Sequence, residues 1–317
     1  MDVFLGIDTS CYTTSLCLVD KNYDVVADER IILSVAKGGR GLSQSNMVYQ
    51  HTRNLPVLFE RLAGVLTTAH IRAVAVTDQP RRRDDSYMPA FLAGLGYARA
   101  LAAVLHVPLY RLSHQENHLL AVLRTLGRVG SEPFYGLHLS GGTTDLLRAV
   151  PDEKGLDITR IGGTSDISAG QFIDRMGVAL GLPFPAGVHV DKLAQTVTPP
   201  VRGAHVFCRD GEISFSGPES QGQRLVAAAA DSPARLCSWT LSTVWRGLEN
   251  LLVFAATDGM SHLAAAGGVM SNGYLRRQLS DWCRRRHVRL DLAADGFSAD
   301  NASGAAFWAA VQEGKKS

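Results

Sequence analysis

Residues 134–150 read FYGLHLSGGTTDLLRAV. An apolar run, Phe134 to Leu139, meets a polar turn, Ser140-Gly141-Gly142-Thr143-Thr144, and a second run follows from Asp145 to Ala149. Short apolar runs separated by Gly, Ser and Thr predict a β-hairpin. Residues 3–19, VFLGIDTSCYTTSLCLV, have the same layout. There the runs are Val3 to Ile7 and Ser15 to Val19, and the turn opens with Asp8-Thr9-Ser10. Each hairpin is followed by a third run, Val25 to Glu29 in the first case and Ile158 to Ile161 in the second.

Outward from each hairpin the pattern continues in parallel. After the first come helical spacing over Asn46 to Leu66, a strand at Val74 to Thr77, a helix over Ala90 to Leu105, a strand at Val107 to Leu112 and a helix over Gln115 to Leu126. After the second come helices near Ile167 to Leu180 and Arg235 to Thr257, and a strand at Leu263 to Ala266 ending in Gly267-Gly268. A helix over Asn272 to Arg286, a strand at Val288 to Leu292 and a last helix over Ala302 to Val311 complete the chain. A unit of hairpin, third strand, helix, strand and helix therefore occurs twice, which predicts an α/β protein built by internal repetition. Hairpins followed by helices are common, so the turn chemistry carries the argument. Both hairpin turns are rich in Thr, Ser, Asp or Gly, whose hydroxyls and backbone N–H groups suit phosphate. A third polar turn, Ala266 to Asn272, lies between a strand and a helix, where α/β sheets bind ligands.

The 317 residues are 46% hydrophobic and 20% charged, which excludes extended disorder and supplies apolar mass for about two domains. The net charge of +2 announces neither nucleic acid nor membrane as partner. Arginines bunch at Arg81-Arg82-Arg83 and Arg284-Arg285-Arg286; such runs are solvated faces or phosphate contacts. The five cysteines form no CxxC pair, so a reduced, cytoplasmic protein without a thiolate zinc site is expected. No basic region with a long apolar run opens the chain and no apolar stretch reaches ~18 residues, so neither signal peptide nor membrane helix is expected.

His114-Gln115-Glu116-Asn117-His118 is the sharpest local signal. Two histidines four apart share one face of a helix and can ligate one metal. Glu116 points to another face, so this is not the HExxH arrangement of a metalloprotease. Asp300, just before the last helix, is the candidate third ligand; an Asp there also serves as an N-cap. Two imidazoles and a carboxylate with open positions suit Zn²⁺, Fe²⁺ or Mn²⁺. Asp174 and Asp191 flank a Gly-Leu-Pro-Phe-Pro-Ala-Gly turn and offer carboxylates to the hydroxyls of a ribose, or else belong to a solvated helix and loop.

In order along the chain, GIDTSCYTT (6–14), HQENH (114–118), SGGTTDL (140–146), the segment 165–194, SFSG (214–217), AGGVMSNGYLR (266–276) and DNA (300–302) resemble the motifs of the TsaD family. That family makes threonylcarbamoyladenosine in tRNA and was once classed as a glycoprotease. The resemblance implies an actin-like, sugar-kinase-type (ASKHA) α/β fold of two RNase-H-like halves around a cleft. The halves would be 1–133, with the C-terminal helix of 296–317 packing back on it, and 134–295. It implies one divalent metal, Fe or Zn, on His114, His118 and Asp300. It implies ATP, ADP or threonylcarbamoyl-AMP at Ser140, Gly141, Gly142, Thr143, Thr144, Asp174, Gly187, Asp191 and Asn272. The implied reaction moves threonylcarbamoyl from its adenylate to N6 of adenosine 37 in tRNA, so tRNA is the expected partner, beside a TsaB-like protein or a second copy of the chain. No catalytic residue is assigned. Four positions depart from the family pattern: Tyr12-Thr13 replace an acidic pair, Thr143 replaces His, Ala186 replaces Gly, and residues 78–89 replace a Gly-rich GPGLVGAL segment. The departures admit a second reading, a nucleotide-binding, catalytically altered paralog that acts as regulator or partner subunit.

Overall fold

The computed structural model describes residues 1–10, 12–35, 42–83, 85–294 and 296–315; Cys11, Asp84, Asp295 and the last two positions of 296–317 lie outside the described residues. The chain forms two compact units. One comprises Met1–Glu132, Val150–Ile158 and Ala293–Ser317, and the other Pro133–Ala149 and Thr159–Leu292.

In the first unit, β1 (Asp2–Asp8), β2 (Thr13–Asp20), β3 (Val25–Ile32), β4 (His70–Gln79) and β5 (Leu109–Ser113) form a sheet in the order β3-β2-β1-β4-β5. The first three run antiparallel as a meander, whereas β1, β4 and β5 are mutually parallel. Helices α1 (Gln44–Leu66), α2 (Phe91–Leu105) and α3 (His114–Arg124) belong to this unit. In β1 the alternation of side chains sorts the two faces. Val3, Leu5 and Ile7 join a core with Leu55, Leu58 and Leu62 of α1 and Ala98 and Ala102 of α2. Gly6 points the other way, against Ala302 and Ala306 at the start of the C-terminal helix. A strand covered on both faces reads as a nearly unbroken apolar run.

The second unit repeats the plan. Its strands are β6 (Phe134–Leu139), most of β7 (Thr144–Pro151), most of β8 (Leu156–Thr164), β9 (Cys208–Arg209), β10 (Glu212–Ile213), β11 (His262–Ala266) and β12 (Arg289–Leu292), in the order β12-β11-β6-β7-β8-β10-β9. Hairpin β6–β7 is antiparallel, and β6, β11 and β12 are parallel. The order β8-β7-β6-β11-β12 thus matches β3-β2-β1-β4-β5, with β10 and β9 added beyond β8. Its helices are α4 (Ala169–Ala179), α5 (Gly187–Ala194), α6 (Ser216–Ala227), α7 (Pro233–Ala256) and α8 (Gly273–Arg285), with a 3₁₀ turn at Gly268–Ser271 before α8. The core packs Phe172, Phe215, Leu241, Leu248 and Trp282 against Leu137, Leu139, Leu263 and Ala265 of the sheet. The last helix, α9 (Ser303–Gly314), returns to the first unit and packs on α3 and β1. None of the described helices is long and apolar enough to cross a membrane.

The structure adds two helices, α5 and α6, in residues 181–227, for which the sequence pattern predicts no element, and one sequence expectation changes. The run Arg81-Arg82-Arg83 is not one solvated face. Arg82 ion-pairs with Glu116 and, at 2.6 Å, with Asp152, while Arg83 pairs with Asp85.

Candidate metal centre and nucleotide loop

Parallel strands bring their C-terminal ends to one edge of a sheet, and in the first unit β1 ends at Asp8, β4 at Gln79 and β5 at Ser113. Helix α3 starts there. Ser113 is its N-cap and forms a reciprocal box with Glu116: the Ser113 hydroxyl accepts from the Glu116 N–H at 3.2 Å, and the Glu116 carboxylate accepts from the Ser113 N–H at 2.8 Å. Glu116 also accepts from the Leu156 N–H at 2.9 Å and from Arg82. Its side chain is 1% exposed and committed to structure, which agrees with its exclusion as a general base.

With the first turn of α3 fixed, His114 and His118 share a face and their Nε2 atoms lie 3.0 Å apart. Asp300 Oδ1 is 3.4 Å from His118 Nε2 and 3.6 Å from His114 Nε2. Three donor atoms at those separations surround a point about 2 Å from each, the usual length of metal–imidazole and metal–carboxylate bonds. The donor set therefore fits one divalent ion. Asp300 is not the N-cap of α9. That position is Ala302, which makes no side-chain cap, and one residue earlier Asn301 Oδ1 accepts from the Ser303 N–H at 2.8 Å and from the Ser303 hydroxyl at 2.6 Å.

Asp8 stands behind His114, a role missed in the sequence, where Asp8-Thr9-Ser10 is only a turn. Its Oδ2 lies 3.3 Å from His114 Nδ1, and its Oδ1 accepts from the Thr77 hydroxyl at 2.5 Å. A carboxylate on the far nitrogen of a ligating imidazole fixes its tautomer and aims Nε2 at the ion. Burial lowers the His114 pKa, but the Asp8 and Asp300 carboxylates outweigh it and push the ring up to about 9. Burial and the charge on His114 hold His118 below the ordinary imidazole value.

In the second unit the other candidate residues lie in the turn after β6, on α4 and α5, and at the start of α8. The Ser140–Thr144 turn is closed by the Ser140 hydroxyl, which accepts from the N–H groups of Gly142 at 3.3 Å and Thr143 at 3.1 Å. The N-terminus of α4 seats on this turn. Ser168 Oγ donates to the Gly141 carbonyl at 2.8 Å, and Thr144 Oγ1 accepts from the Ala169 N–H at 2.8 Å. Gly170 permits the approach, since a Cβ there would stand 2.5 Å from the Ser140 carbonyl oxygen. Asp174 accepts from the Ala186 N–H at 2.7 Å, where α5 begins, and burial raises its pKa. Asp191 accepts from the N–H groups of Gly273 at 2.9 Å and Tyr274 at 3.3 Å, where α8 begins. Both acids thus have oxygens engaged by backbone. Asn272 caps α8, its Oδ1 accepting from the Leu275 N–H at 3.0 Å. Its Nδ2, on a residue 8% exposed, has no hydrogen-bond partner among the described residues. At Gly141, Gly142 and Gly187 a Cβ would meet nothing, so the backbone there stands open. A buried donor without a partner on Asn272 and open backbone at Gly141, Gly142 and Gly187 are groups of the kind a nucleotide engages.

Comparison with known proteins follows the same lines. The model of the family described as TsaD, tRNA N6-adenosine threonylcarbamoyltransferase, matches residues 35–307. A tRNA N6-adenosine threonylcarbamoyltransferase of Geotalea uraniireducens is 31% identical over 323 residues, covering 95% of this chain and 88% of its own. Its counterpart in Geobacter sulfurreducens is 29% identical over 320 residues, covering 94% and 88%. Among solved structures, full-length HypF in its phosphate- and nucleotide-bound form superposes with a TM-score of 0.63 at 12% identity, covering 98% of this chain and 55% of that one. Component A of the (R)-2-hydroxyglutaryl-CoA dehydratase of Acidaminococcus fermentans gives 0.60 at 14%, covering 99% and 100%. These likenesses, with a ROK-family protein from Streptococcus pneumoniae at 0.55, establish an ASKHA-type fold.

Proposed function

Since the chain belongs to the TsaD family, we propose that it transfers a threonylcarbamoyl group from threonylcarbamoyl-adenylate to N6 of adenosine 37 in tRNA. The observation that carries this reading is the triangle of His114 Nε2, His118 Nε2 and Asp300 Oδ1, three donors converging on one point. In the reaction the N6 amine attacks the carbamoyl carbonyl, the bond to the adenylate oxygen breaks, AMP departs and the amine loses a proton.

His114, His118 and Asp300 would hold one divalent ion, iron or zinc. When bound, it supplies positive charge that polarises the carbonyl or phosphate oxygen. Asp8 holds the His114 ring in register through Nδ1. The adenylate belongs on the Ser140–Thr144 turn, where Gly141 and Gly142 leave the backbone open and Thr143 borders the loop. Gly187 leaves room beside α5, and the Asn272 amide offers its unpartnered donor. Asp174 and Asp191 shape this site by fixing the starts of α5 and α8.

Complementation tests the reading. The chain should restore threonylcarbamoyladenosine in cells lacking their own TsaD-family enzyme, with a TsaB-like partner supplied, and Asp300→Ala should abolish the rescue. The replacement of the Gly-rich segment by residues 78–89, whose Arg82 is engaged by Glu116 and Asp152, favours a second reading as a nucleotide-binding partner subunit. Absence of modified adenosine alongside retained nucleotide binding would select it.

A further inference from the structure

We propose that Asn117, between the two histidines of HQENH, is the positioning residue of Asp300; the inference rests on the metal reading above. Asn117 is fully buried, and its amide reaches out of α3 to the segment that carries the aspartate. Nδ2 donates to the Asn301 carbonyl at 2.6 Å, and Oδ1 accepts from the Ala305 N–H at 2.8 Å. One bond holds the residue directly after Asp300. The other holds the first turn of α9, where Ala302 brings no side-chain cap of its own. Asn301 completes the arrangement, donating through Nδ2 to the carbonyls of Phe297 at 2.9 Å and Ala299 at 2.8 Å. Asp300 is thus flanked by two tethered residues, and the tether starts on the helix that bears both imidazoles.

The residue type suits the task. A carbonyl and an N–H must be met together, and an amide offers one donor and one acceptor in a fixed plane. Aspartate presents acceptors alone, and alanine presents nothing. The close approach also depends on Gly304, where a Cβ would collide with the Asn117 backbone carbonyl and stand 2.7 Å from the Ala121 nitrogen. Metal sites tolerate displacements of about 0.5 Å, so the spacing between α3 and the Asp300 turn sets whether three ligands or two reach the ion.

The experiment is Co²⁺ titration of the full chain by its visible absorption, with wild type, Asn117→Ala, Asp300→Ala and the double variant. Asn117→Ala should weaken Co²⁺ binding ~10- to 100-fold, as loss of outer-shell support does, and alter the absorption band. In the Asp300→Ala background the same change should move the affinity less than about twofold, because a residue that acts through Asp300 has nothing left to position. Losses that multiply in the double variant, or an Asn117→Ala affinity equal to wild type, overturn the inference while the metal reading stands. Wild type that binds Co²⁺ no better than Asp300→Ala overturns both. If Asn117→Ala does not fold, Asn117→Asp replaces it, keeping the acceptor for Ala305 and losing the donor for Asn301; wild-type affinity in that variant overturns the inference equally.

Discussion

The Oδ2 atom of Asp8 lies 3.3 Å from Nδ1 of His114, which couples the end of β1 to the first residue of α3. The contact makes a metal-binding prediction. Asp8→Asn keeps an oxygen for the Thr77 hydroxyl but removes the charge that orients the ring, so Zn²⁺ affinity should fall ~10-fold or more. Competition against a chromophoric chelator measures it. An affinity equal to wild type would show that His114 is aimed without Asp8.

Arg82 leads to a different expectation from its neighbours. It pairs with Glu116, whose side chain is 1% exposed, and with Asp152. Arg82→Ala should therefore lower stability by about 2 kcal/mol, the scale of a hydrogen bond to a buried charge, read from the urea midpoint. It should leave the salt dependence of tRNA binding unchanged. Replacing Arg81 and Arg83 together should flatten that dependence by up to ~2 units of slope if each meets a phosphate. Equal stability of Arg82→Ala and wild type would count against the buried pair.

The hairpin plan was legible because both turns carry Gly, Ser, Thr or Asp between apolar runs, and the structure places β1–β2 and β6–β7 on those runs. The histidine pair was legible because spacing of four survives any tertiary context on a helix. Asp300 was legible as a candidate only, since an Asp before a helix reads equally as a cap; the cap position is Ala302, and it is Asn301 whose side chain bonds the first residue of α9. Asp8 behind His114 was not legible, because the contact depends on the parallel register of β1, β4 and β5. Arg82 and Glu116 were each read alone, and nothing local to either residue names the other.

Asp166 gives the pH dependence. Its carboxylate accepts from Ser214 Oγ at 2.5 Å and from the N–H groups of Phe215 at 2.9 Å and Ser216 at 3.2 Å. Burial would raise its pKa, but these bonds outweigh it and hold the group well below the usual carboxylate range. A depressed folded-state value stabilises the fold above the unfolded value and loses that contribution as the pH falls through the folded one. Asp166→Asn should therefore be less stable than wild type near pH 6, and the gap should narrow steadily below about pH 4. A gap that stays constant to pH 2 would place the effect in packing rather than charge.

Asn272 separates two functions of one side chain. Its Oδ1 caps α8, and its buried Nδ2 has no partner among the described residues. Asn272→Ser keeps a capping oxygen and deletes the orphaned donor, so the ligand-free protein should melt within a degree or two of wild type, serine being about as good an N-cap. A ligand that binds only the folded state at a hundred times its dissociation constant stabilises by about 2.7 kcal/mol, so millimolar ADP should raise the wild-type melting temperature by several degrees. If the amide reads the nucleotide, Asn272→Ser should lose most of that rise while keeping the ligand-free melting point. Asn272→Ala should lose both, the cap and the donor together. A full ADP shift in Asn272→Ser would leave the capping role intact and remove the amide from the nucleotide site.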